Sequence, residues 1–198
     1  MQVMINTFLK LFFVLTPFFA LSAFITLTPG YDEAARKRMA VKVTAIVFLA
    51  AFLLLLFGGY IFSVLGITLE SFRVGAGALL FLSAVSLVKG PTAQAETVMD
   101  RSIAAVPLAL PITVGPGTTG VLLLMGAELH GINDMLVVGG ALVTAVLSVG
   151  ALLMLASRIE RWLGNTGLAV LSRLTGLVLA SLAAQMILTG IREFMARG

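Results

Sequence analysis

Residues 112–120 read ITVGPGTTG and lie inside an uncharged run from Ser102 to Ala127. A run of that length is enough for a membrane-spanning helix, which needs about 20 apolar residues. Its middle nevertheless holds Gly115, Pro116, Gly117, Thr118 and Thr119. A proline in a helix interior costs ~3 kcal/mol and a glycine ~1 kcal/mol relative to alanine. Inside a bilayer, freed backbone groups are tolerated only where they are buried in protein or line a cavity. The stretch therefore predicts a spanning helix that breaks at mid-depth.

Composition supports the membrane reading. Of 198 residues, 60% are hydrophobic and 11% charged, and the mean hydropathy is +1.11. A soluble domain keeps about a quarter of its residues charged. The chain has no cysteine, which excludes a disulfide framework, a thiolate metal site and a cysteine nucleophile. Its one histidine, His130, falls in the polar stretch AELHGIND and reads as a solvated loop residue, so no metal or other cofactor is expected. The net charge of +4 fits loop lysines and arginines and not a nucleic-acid surface.

Uncharged runs lie at 11–31, 43–69, 102–127 and 135–157, with shorter ones at 74–88 and 174–191. The two shorter runs are fronted by Arg73 and Arg173, whose long stems can reach an interface. This predicts an all-α protein of six transmembrane helices in one domain over residues 1–198. The stretch Ala20-Leu21-Ser22-Ala23 resembles a leader cleavage site. The first segment is read instead as span one, because it has a counterpart in the second half. The loop before span two carries Arg36, Lys37, Arg38 and Lys42, the loop after span three Lys89 and Arg101, and the loop after span five Arg158 and Arg161. The alternate loops, SVLGITLE and AELHGIND, have no lysine or arginine. The positive-inside rule then puts both termini outside the cytoplasm in an inner or plasma membrane, with lipid contacts at the basic loops.

The halves match at an offset of one hundred residues. Residues 73–90 lie over 173–190, with Arg73, Leu79, Leu82, Ala84 and Gly90 meeting Arg173, Leu179, Leu182, Ala184 and Gly190. Thr16-Pro17 precedes Gly115-Pro116 by ninety-nine residues. Three spans per half require the second half, about 96–198, to cross inverted relative to the first, about 1–95. Inverted repeats with matching broken helices point to a binding site at their interface near the midplane. Tolerated proline kinks are the plainer alternative, favoured for Pro17 taken alone. Gly176, Ala180 and Ala184 form a small-residue stripe suited to close helix packing. Gln185 interrupts span six as either a helix tie or a substrate contact.

Neither a deep intramembrane carboxylate nor a Walker loop, catalytic triad or HExxH motif is found, so proton coupling through a midplane carboxylate and enzymatic activity are not expected. Three runs, GITLESFRVGAGALLFLSAVSLVKG (66–90), VPLALPITVGPGTTGV (106–121) and LSRLTGLVLASLAAQMILTGI (171–191), resemble the MarC family. The resemblance covers nearly the whole chain. It implies a six-helix inner-membrane protein related to the LysE superfamily of small exporters, with transport of small neutral amino acids in one archaeal branch. Members of that family usually carry an Asn/Asp-Pro-x-Gly-Asn-x-Pro motif in span one. Here the stretch is TPFFALS (16–22): Pro17 remains, while Phe19, Ala20 and Ser22 replace the Gly, Asn and second Pro.

The expected site is lined by Thr16, Pro17, Gly115, Pro116, Gly117, Thr118 and Thr119, with Gln185 nearby and Arg73 and Arg173 as symmetric anchors or gates. The expected function is small-solute transport or export. The alternatives are a non-transporting scaffold or regulator, or a passive channel, and homo-oligomerisation is left open.

Overall fold

The computed structural model describes residues 2–90 and 114–197. Those residues form helices α1 (Gln2–Val14), α2 (Pro17–Leu27), α3 (Glu33–Leu65), α4 (Leu69–Lys89), α5 (Pro116–Ala127), α6 (Ile132–Met154) and α7 (Ala156–Arg197), with no strand among them. Together α1 and α2 make one broken span, and α3, α4, α6 and α7 are each long and apolar enough to cross a bilayer. At 12 residues, α5 is about 18 Å long and reaches only part-way. The first half of the expected fourth span, residues 102–113, and Arg101 lie outside the described residues.

Local chemistry sets the helix ends. The Asp32 carboxylate accepts the Ala35 N–H at 2.7 Å to start α3, and the Thr68 hydroxyl accepts the Ser71 N–H at 3.3 Å to start α4. Several spans outrun the uncharged runs read from the sequence. Helix α1 begins at Gln2 and carries Lys10 on an exposed face, and α4 begins at Leu69 and takes in Glu70 and Arg73. Arg158 and Arg161 sit on α7 rather than in a loop. Charges near a span end are tolerated because long stems carry them to the interface or partners neutralise them.

Helix α4 runs antiparallel along α7. A Cβ at Gly77 would meet Ile187 and Ala183, and one at Gly176 would meet Ala84 and Val88. The contact face of α7 follows Gly176, Leu179, Ala183 and Ile187, while Ala184 of the expected stripe is exposed. A helix turning every 3.6 residues drifts off a strict four-residue spacing. Gly90 lies against Arg173, and Gly190 against Arg73.

One apolar core joins α1, α2, α3, α5 and α6 through Leu11, Leu21, Phe24, Leu55, Leu122 and Leu142. A second joins α1, α4, α5 and α7 through Val14, Leu80, Val121 and Leu179. Leu53, Phe57, Leu82, Leu136, Leu147, Leu177 and Leu188 face outward. An exterior that apolar suits hydrocarbon and not water. At one end of the bundle lie Arg36, Lys37, Arg38, Lys42, Lys89, Arg158 and Arg161, the basic end. The opposite end holds Glu70, Arg73, Glu128 and Glu193 along with the start of α1 and the finish of α7.

Candidate functional site

A helix break and a helix start meet inside the bundle. The α1 ladder runs out at Leu15, whose N–H reaches Leu11 O at 2.9 Å, and at Thr16, whose N–H reaches Phe13 O at 2.9 Å. Pro17 then opens α2, lacking the N–H that would continue the ladder. Thr16 absorbs the change of direction in a left-handed conformation, φ 48 and ψ 56. That region costs a residue with a Cβ roughly 1–2 kcal/mol. Thr16 is 8% exposed, and its hydroxyl has no hydrogen-bond partner among the described residues.

Helix α5 opens in the same way. Gly115 is its extended N-cap, Pro116 its first residue, and the Thr119 N–H closes the first turn on Gly115 O at 2.8 Å. Proline suits this position because its fixed φ is helical and its missing N–H would have had no acceptor. Gly117 lets the start of α5 lie against the middle of α4: a Cβ there would sit 2.8 Å from Leu80 Cα. Thr118 is buried, and its hydroxyl donates to Val14 O at 2.9 Å, joining the end of α1 to the start of α5 directly. The first-turn N–H groups of Phe18 and Phe19 on α2, and of Gly117 and Thr118 on α5, have no acceptor within their own helices. This leaves partial positive charge on two helix starts inside the bundle.

A cleft of about 580 Å³ runs beside this junction between α4 and α5, lined by residues including Phe72, Ala76, Leu79, Pro116, Thr119 and Leu123. Its walls are mainly apolar, with the half-buried Thr119 hydroxyl as the polar side-chain group. Thr16, Pro17, Gly117 and Thr118 are packed shut around the junction, whereas Pro116 and Thr119 reach the cleft. Gln185 is exposed on α7, outside this set.

Sequence reasoning missed an ion-pair cluster that ties α4 to the end of α5 and to α7. Arg73, next to Phe72 in the cleft wall, bridges Glu128 at the end of α5 and Glu193 on α7. Its side chain is 12% exposed. Glu70, read as a loop or span-end acid, is buried in the first turn of α4. Arg173, by contrast, is exposed at the opposite end, so the two arginines differ in environment. Partners 55 and 120 residues away leave no local signature. No cluster of three or more His, Asp or Glu suited to a metal occurs among the described residues, and the backbone N–H of His130 donates to Asp134 Oδ2 at 3.3 Å.

The chain matches the sequence profile of the MarC family integral membrane proteins over residues 1–195. The chain belongs to the MarC family. A UPF0056 membrane protein of Methanocaldococcus jannaschii is 35% identical over 205 residues, covering 97% of this chain and 97% of its own length. The UPF0056 membrane protein YhcE of Escherichia coli is 30% identical, over 93% of this chain and 90% of its own. A further relative, YvbG of Bacillus subtilis, is 30% identical over 95% and 93%. No solved structure matches the chain significantly. Family membership and the apolar helices make this a multi-pass integral membrane protein.

Proposed function

We propose that this MarC-family protein is a transporter of small solutes, such as small neutral amino acids, with its site where α1, α2 and α5 meet. The observation that carries the reading is the direct bond between the start of α5 and the end of α1, Thr118 Oγ1 to Val14 O. The short helices α2 and α5 each have proline as first residue. An inverted two-repeat arrangement is supported by the exchanged contacts Gly90–Arg173 and Gly190–Arg73, which map onto each other at the offset of one hundred. Half-helix starts inside the bundle suit the carboxylate of an amino acid, and the Thr119 hydroxyl offers a further polar contact. The Arg73–Glu128–Glu193 cluster acts as a gate at one end of the bundle. The basic end faces the cytoplasm, with both termini outside.

Proteoliposomes given labelled glycine, alanine and serine test the reading. Uptake above that of empty vesicles is expected, with loss in Gly117→Leu, whose side chain would drive into the Leu80 backbone. Uptake equal to that of empty vesicles for all three solutes removes the amino-acid version. A second reading, a non-transporting membrane scaffold, draws on the burial of Thr16 and Thr118 and the mainly apolar cleft. It requires the junction to stay closed at all times.

A further inference from the structure

The start of α7, residues 156–163, is set off from the rest of the helix. Only Leu155 separates α6 from Ala156, and Gly164, at φ 60 and ψ 179, interrupts α7 just beyond. The segment has two unlike faces. Inward, Ile159 packs on the core, while Ser157 and Glu160 take the Arg36 guanidinium at 3.1 and 3.0 Å. Outward stand Arg158, Arg161 and Trp162, the tryptophan 93% exposed.

Charge at this end is unbalanced toward the outside. Glu160 is turned inward onto Arg36, and Glu33 pairs with Lys37 at 2.9 Å. Arg36 on α3 bonds both Ser157 and Glu160, so the segment and the start of α3 share one surface. Asp32 caps α3. Arg38, Lys42, Arg158 and Arg161 remain exposed, with no carboxylate within ion-pair distance among the described residues. A bare tryptophan is costly in water and stable at a membrane interface, where its ring is half-immersed and its N–H is hydrated.

We infer that residues 156–163 lie in the headgroup layer and bind anionic phospholipid, with Arg158 and Arg161 on lipid phosphates and Trp162 sunk at the interface. Arg36 also reaches Thr28 O at the end of α2 at 3.2 Å, so the lipid-bound segment is tied to the half-helix that follows Thr16. The inference is independent of transport.

Trp162 is the only tryptophan of the chain, so its fluorescence reports this segment alone. The full chain is reconstituted in phosphatidylcholine vesicles in which a fixed fraction of lipid, either phosphatidylcholine or phosphatidylglycerol, carries brominated acyl chains. Brominated phosphatidylglycerol should quench more strongly, since each arginine at an anionic surface enriches the lipid about fivefold. The preference should shrink in the Arg158→Gln, Arg161→Gln double variant, and in the unaltered protein at high salt, an arm that needs no variant to fold. Equal quenching by the two lipids in the unaltered protein at low salt, or no quenching by either, overturns the inference.

Discussion

At the scale of single residues, two buried threonines at one junction have opposite roles. Thr118 spends its hydroxyl on Val14 O, whereas the Thr16 hydroxyl has no partner among the described residues. Thr118→Val keeps the shape and strands the carbonyl, so it should cost about 1 kcal/mol in unfolding from detergent micelles. Thr16→Val removes an unpaired hydroxyl and should be neutral or stabilising in the same assay. Glycines give a sharper contrast. A Cβ at Gly126 would run into the Leu55 backbone and one at Gly58 into that of Leu123, while Gly139 opens on empty space. Gly58→Ala and Gly126→Ala should each lower stability by roughly 1–3 kcal/mol. Gly139→Ala should hold or raise it, because alanine is the better helix former. The sequence showed that glycine, proline and threonine gather at 115–119. It could not show which hydroxyl would find a carbonyl, because Val14 is 104 residues from Thr118.

At the scale of helices, α5 is a half-span fixed at both ends. Its start is bonded to the end of α1, and its finish is held through Glu128 to Arg73 on α4 and onward to Glu193 on α7. Arg73→Gln would leave two carboxylates without their shared cation. Both are more than a third exposed, so solvent screens part of the loss, and a cost of roughly 1–2 kcal/mol is expected in thermal unfolding. Arg73→Lys should recover only part of it, since a single ammonium cannot reproduce the forked geometry. Arg173→Gln, at an exposed position, should stay within about 0.5 kcal/mol. The sequence paired these arginines by position and assigned them like roles. Their surroundings differ because two acidic neighbours come from α5 and α7, and such contacts depend on tertiary packing. Helix existence was legible from hydropathy. Helix ends were not, because Lys10, Glu70 and Arg73 sit inside helices whose apolar faces outweigh one charge.

At the scale of the whole molecule, hydropathy alone gave the membrane class, and the proline pair marked the break at Thr16 and the start of α5. Their direct contact needed the fold, as did the apolar cleft beside them. The central claim is that this junction opens to admit a solute. The chain has no native cysteine, so a single introduced thiol can report on it without background. Thr118→Cys stands in the closed junction itself, buried against Val14. In proteoliposomes, a membrane-impermeant maleimide should label this thiol, and glycine, alanine or serine should slow the labelling. A folded variant whose thiol stays unreactive from both sides would contradict the account and leave the closed, non-transporting reading in its place.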